Sequence, residues 1–518
     1  LQPPLFYIFG FIQESNSITE RLAVRNTLNS TEKSKDINHH HIFLLLFFTH
    51  KSYLYCSSSI LQNCDGKIML VLTRLLFLPI LAILVLYCPK AHALPMIRDS
   101  ETEAVLKKIS APIFAAASVD INSVNFYIVN DSGINAFVAG GRNIFMNSGL
   151  IIQAKSSDTI AGVIAHELGH ITGGHQLRGQ DKMDEVGMQA MLGYLLAGAA
   201  AAGGGGQAAA AVASASQQVA MRSALAFTRD QEQLADQAAL DYLSEAGITA
   251  RGLLSLLEKL RRFESMDFGS ETQYMRTHPL SRERIAHVRT FVQEVEPKKD
   301  SASIAESNLR LDAEFRRVQA KLKAFLQNPR ETIAETRGKT DEISEYARAI
   351  ALYRQSNLAE ADAILQKLQK QNPDDPYIHE LRGQLLYESG QIAQSVVSYR
   401  NAQGILPADA LINLSLAAAL MELEQGNDSE ISTSIKKVLI AEPKNRMAWQ
   451  LKARLQDKQG NAGLANLSRA EEAFIAGDYE QSIRLASIAK SKLTDPESFK
   501  RTEELIAESK VNLEKARN

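Results

Sequence analysis

The chain has 518 residues, length for about three domains. Its 45% apolar and 22% charged content is that of an ordinary globular protein. A formal charge of −2 supplies no basic field, so no nucleic-acid partner is expected.

The three cysteines, Cys56, Cys64 and Cys88, all precede residue 94. Residues 69–93 carry Arg74 near their start, an apolar run to Tyr87, and Ala91-His92-Ala93 at the end. That order is a secretory signal peptide cut after Ala93; the alternative is an uncleaved membrane anchor. Residues 1–68 hold His39-His40-His41 and no domain-like periodicity. Translation is expected to start at Met69, with a genuine unstructured extension as the alternative. Without residues 1–93 the chain has 49 basic and 54 acidic side chains, a net charge of −5, and no cysteine. Such a chain suits a bacterial periplasm.

The domain expected over 94–300 opens with helical spacing from Glu101 to Ala117 (Ala104, Val105, Ile109, Ile113). Val124 to Val129 reads as a strand, 130–133 as a turn, and 135–150 as a hairpin around Gly140-Gly141. Ser156-Ser157-Asp158 can cap the next helix, whose apolar face is Ile160, Val163, Ile164, Leu168 and Ile171.

Inside that helix stands His166-Glu167-Leu168-Gly169-His170. Histidines at i and i+4 share one face, so both imidazoles can reach one zinc ion at roughly 2.0–2.1 Å. Glu167 borders the ion without displacing a ligand and can act as general base toward water. The bland reading is a surface helix with two histidines and a carboxylate.

Between Glu185 and Arg222 lie 36 uncharged residues, mostly Ala and Gly, with four glycines at 203–206 that should interrupt a helix. The stretch 186–221 reads as a lid or plug near the site, as a peripheral membrane contact, or as plain disorder. A helix resumes at Phe227 and carries Glu232 and Asp236 on one face. Thr277-His278-Pro279 marks a turn, and another helix follows from Ser281.

A catalytic zinc takes three protein ligands plus water. His175 is one candidate third ligand, one residue short of the H-E-x-x-H-x-x-G-x-x-H spacing, where Gln176 stands. Glu232 is the other; it would give a His₂Glu set, with Asp236 one turn away able to fix an imidazole tautomer.

Residues 301–340 read as a helical connector. From 341 to 518 strand patterns vanish and self-similarity appears. Pro373, Pro407 and Pro443 are spaced 34 and 36 apart, and Gly390, Gly426 and Gly460 are spaced 36 and 34. A period near 34 is that of tetratricopeptide repeats; an irregular helical bundle is the alternative.

HELGH, then E-x-x-A-D at 232–236, then T-H-P at 277–279, resembles the HtpX-like and CAAX-prenyl-protease-like zinc metallopeptidases. The segment with Asn135-Ala136-Phe137, Gly140-Gly141 and Gly149-Leu150 looks like the strand pair those enzymes place before the metal helix. With a secretion signal in front and repeats behind, the resemblance is to the periplasmic subgroup that enhances beta-barrel assembly. It implies a mostly α fold with a small β-sheet: a gluzincin-type protease domain followed by an α-solenoid. It implies one Zn²⁺ held by His166, His170 and Glu232, with Glu167 as base and Asp236 behind the ligands. His278 would stabilise the oxyanion or close the site as an off-switch, and Arg284 would lie beside it. Substrate is expected to lie extended near Phe137, Phe145 and Met146. Implied partners are unfolded or misassembled proteins and the outer-membrane beta-barrel assembly machinery. The rival expectation is a largely latent chaperone or adaptor.

Overall fold

A computed structural model describes residues 95–202, 206–265, 274, 277–295, 302–423 and 427–517. The signal peptide, its cleavage point, the segment 1–68 and the glycines 203–205 lie outside the described residues.

The first half is a small sheet wrapped by helices. β1 (Met96–Ile97), β2 (Asn125–Val129), β3 (Ala136–Ala139) and β4 (Asn143–Asn147) line up in the order β1-β2-β4-β3. β1 is antiparallel to β2, β2 parallel to β4, and β3 antiparallel to β4, with Phe137 opposite Phe145. The β3–β4 turn holds Gly140 and Gly141 at φ +60° and +88°, the left-handed region a tight hairpin needs. α1 (Ser100–Ala116) opens the domain, its N-terminus capped by Asp99 accepting from the Thr102 amide.

α2 (Ser148–Gln153) leads into α3 (Ser157–Thr172), which carries the histidine motif and is buried from Thr159 to Gly169. The expected serine cap is replaced by a distant group. Ser156 makes no side-chain capping bond, and the Ser157 amide donates at 2.8 Å to Asp312, 155 residues on. A carboxylate there also complements the positive end of the helix dipole.

The uncharged stretch is helical on both sides of the glycines. α4 (His175–Ala202) and α5 (Gly206–Glu245) pack along each other, so the helix expected from Phe227 begins 21 residues earlier. Alanine explains this, being the strongest helix former. α6 (Arg251–Ser265) and α7 (Arg282–Glu294) complete the core with α3 and α5, through Ile160, Ile164, Leu168, Leu240, Leu257 and Val288. α8 (Ala302–Leu326) gives Phe315, Val318 and Leu322 to that core and Ala324 and Phe325 to the next one.

Beyond the short α9 (Pro329–Thr336), ten helices run from α10 (Glu342–Arg354) to α19 (Pro496–Arg517), each packed on its predecessor. The described residues are mostly α with one small sheet, a sheet-bearing domain followed by a helical array. The repeat period is written in the caps. Asp341, Asp375, Asp409 and Asn445, spaced 34, 34 and 36, each accept from the first-turn amides of alternate helices. Some of these caps also face the first domain: Asp409 accepts from Ser100, and Asp375 pairs with Arg317. Arg317 and the fully buried Lys321 also hold Glu101, and Lys321 lies 2.6 Å from Asp99.

Candidate metal centre

α3 and α5 bring the histidine motif and Glu232 together, and Gly169 is what lets them approach. A Cβ there would meet the Ala235 carbonyl oxygen at 2.9 Å. Gly174, at φ +61°, then turns the chain out of α3 into α4.

Four side chains converge: His166, His170, Glu232 and His278, with one donor atom each all within 4.8 Å of one another. His166 Nε2 lies 3.2 Å from His170 Nε2 and 3.3 Å from His278 Nδ1. The Glu232 oxygens lie 3.3 Å from His166 Nε2, 3.3 Å from His170 Nε2 and 3.1 Å from His278 Nδ1. A tetrahedron whose corners stand 2.0–2.1 Å from its centre has edges of about 3.3–3.4 Å. The separations given above are close to that edge length, and all four donors lie within 4.8 Å of one another, so the set can hold one metal ion.

The surroundings hold these donors in place. His166 Nδ1 faces Asp236 Oδ1 at 2.9 Å, which turns Nε2 toward the cluster. Arg284 grips Asp236 through Nε at 2.6 Å and Nη2 at 2.9 Å; its Nη1 reaches Glu232 at 2.7 Å and the Pro279 carbonyl at 3.0 Å. His175 lies outside the four-donor group. Its Nδ1 is 2.8 Å from Nδ1 of His170, the nitrogen that faces away from the cluster. The histidine weighed as a third ligand thus stands where it orients a donor.

The electrostatics favour a bound cation. Burial opposes charging His166, but Asp236 and Glu232 outweigh it and push its pKa up to about 10. Burial would raise Glu232, yet His278, His166 and His170 hold it far below the carboxylate range. Asp236, despite burial, is held down to about 2 chiefly by its bonds to Arg284. Glu167 is fully buried beside these groups, both its oxygens lack hydrogen-bond partners, and Oε1 lies 3.3 Å from His278 Nε2.

One neighbour escaped the sequence reading. Tyr274, fully buried, lays its ring 4.7 Å from that of His278, and the His278 amide donates to its carbonyl. The spacing of four residues was the available cue. On the sheet, Phe137, Phe145 and Tyr127 form a stacked ladder with centroids 5.0 Å apart, all half-buried. Met146 is not brought into that ladder: it is 2% exposed and packs in the core.

Comparison with known proteins follows the same lines. Residues 98–292 match Peptidase family M48. The chain is 31% identical to "Metalloprotease YcaL" of Escherichia coli (strain K12) over 184 residues, 35% of this chain and 67% of that protein. The chain belongs to peptidase family M48. It is 23% identical to the "Beta-barrel assembly-enhancing protease" of Yersinia pestis over 401 residues, 77% of this chain and 81% of that one. The protein of that name from Escherichia coli (strain K12) is 22% identical over 411 residues, again 77% and 81%. M48 membership makes this protein a metal-dependent endopeptidase, and the matched span contains His166, Glu167, His170, Glu232, His278 and Arg284.

Proposed function

We propose that this M48 protein is a zinc endopeptidase, exported to the periplasm after cleavage at Ala93, that degrades misfolded or stalled outer-membrane proteins. The observation that carries the reading is the enclosed four-donor set with Glu167 beside it. The likeness to proteins named for enhancing beta-barrel assembly, which extends through the helical array, supports the client class. The array is read as tetratricopeptide repeats that hold a client or the assembly machinery.

In this reading His166, His170 and Glu232 hold zinc. When bound, zinc would polarise the scissile carbonyl and lower the pKa of water. Glu167 takes the proton of the attacking water and returns it to the departing amine. Asp236 and His175 hold the two imidazoles in orientation, and Arg284 offsets the charge of the carboxylates behind them. An extended client lies along the β3–β4 region, with Phe137 and Phe145 contacting its side chains.

Metal analysis tests the ligand set. Zinc content of the purified protein is expected near one per chain, and lost in His166→Ala and Glu232→Ala. His175→Ala should keep the metal with affinity lowered about 10–100-fold, as for an orienting partner. Full zinc in Glu232→Ala would overturn the assignment.

A second reading, a protein mostly latent at rest, is favoured by His278. Its Nδ1 stands among the metal donors, where a catalytic site keeps an open position. With an open state populated at roughly 10% or less, His278→Ala is expected to raise peptide turnover by about tenfold or more. A fall in kcat for this variant would instead make His278 a stabiliser of the transition state.

A further inference from the structure

The hairpin of α4 and α5 carries a feature the peptidase reading does not use. Met188, Met191, Leu192, Leu195 and Leu196 recur at the i, i+3, i+4, i+7, i+8 spacing that a helix ordinarily turns into a core. Here each is more than half exposed. On the second arm Val219 and Met221 are about 60% exposed, while Ala197 and Ala220 are buried. Those two alanines are enclosed while the large apolar groups face outward, the inverse of a helix packed for its own stability.

The charges explain what kind of surface this is. From 186 to 221 there are none. The charge-free parts of the arms, 186–202 and 206–221, span about 25 Å each at 1.5 Å per residue. Charged residues resume after similar lengths of helix on both: Lys182, Asp184 and Glu185 on α4, and Arg222 on α5. A protein-docking face keeps a polar, partly charged rim around its apolar centre. A segment free of charge over similar lengths of both arms is what contact with the acyl region demands, since an ion there is costly. No helix among the described residues is long and apolar enough to cross a membrane. The fit is to one leaflet, with the apolar stripe at the boundary between headgroups and chains.

We infer that the α4–α5 hairpin is a lipid-docking surface that seats the peptidase on a phospholipid membrane. The catalytic centre is built at its base. Glu232 lies ten residues beyond Arg222 on the same helix, about 15 Å along the axis, and His175 begins α4. Docking would hold the metal centre within reach of polypeptide emerging at the membrane surface. The inference does not depend on the zinc assignment, because lipid binding is read without cleavage.

The test is flotation of the purified protein, with the N-terminus it carries in its host, on vesicles of phosphatidylethanolamine and phosphatidylglycerol. The parent should float with the vesicles. Leu192→Glu/Leu195→Glu should lose at least tenfold in partitioning, with the single Leu195→Glu between them. Val397→Glu, an equally exposed change in the helical array, should float like the parent. Unchanged thermal melting and unchanged cleavage of a soluble peptide certify that the variants are folded. A parent that stays with the soluble fraction overturns the inference, as does a double variant that floats as well as the parent. A dimer in sedimentation that the double variant dissociates, without vesicle binding, assigns the surface to a second copy and overturns it equally.

Discussion

Glu167→Gln is expected to lower degradation of an unfolded client by about 10²–10⁴-fold, the usual contribution of a positioned general base, while zinc content and client binding stay at parent levels. The substitution keeps the shape of the side chain and removes its basicity. The site can absorb it: Glu167 is fully buried, and its oxygens have no hydrogen-bond partner that the amide would forfeit. Trading a dry carboxylate for a neutral amide lowers a desolvation cost, so thermal melting should hold steady or rise. Three measurements together decide: single-turnover degradation of a denatured client, bound zinc, and the melting temperature. Parent-like degradation by the variant would sink the protease reading. If neither protein degrades anything while both bind clients, the latent adaptor gains.

What the sequence made legible follows from how far apart the interacting residues stand. His166 and His170 were readable because i, i+4 on a helix is a local relation, and Glu232 and Asp236 for the same reason. Arg284 was not readable by any local rule. It meets Asp236 across 48 residues, through α5 and α7, and only family resemblance pointed to it. The spacing of His175, one residue short of a ligand position, argued against it as a ligand but could not show that it meets the other nitrogen of His170. The Asp312 cap on α3 and the partnership of Tyr127 with Phe145 are tertiary facts of the same kind. Met146 is different, for there the sequence contained the answer. Neighbours on a strand face opposite sides, so Phe145 and Met146 could never line one surface. In the uncharged stretch the four glycines drew attention from the alanines, whose propensity supports the helix observed at 186–202 and 206–221.

Arg284 is where stability and function meet, and its loss has the largest expected effect on folding. The guanidinium is 1% exposed, grips both oxygens of Asp236, and touches Glu232 and the Pro279 carbonyl. Arg284→Ala removes the guanidinium that faces two buried carboxylates and should cost about 3–5 kcal/mol, as for breaking any buried pair from one side. Arg284→Lys should recover little, because an ammonium cannot reproduce the planar two-toothed grip. The cost should depend on metal. A zinc ion neutralises part of the same negative charge, so the variant should lose less stability zinc-loaded than after chelation. Binding confined to the folded state also adds RT ln(1 + [Zn]/Kd) to both proteins. Denaturant unfolding of parent and variant, with zinc and with chelator, gives all four values. A loss below about 1 kcal/mol in the chelated state would show that Asp236 finds another partner. An equal loss with and without zinc would separate the arginine from the metal centre, leaving the Arg284–Asp236–His166 chain as packing that happens to end at a ligand.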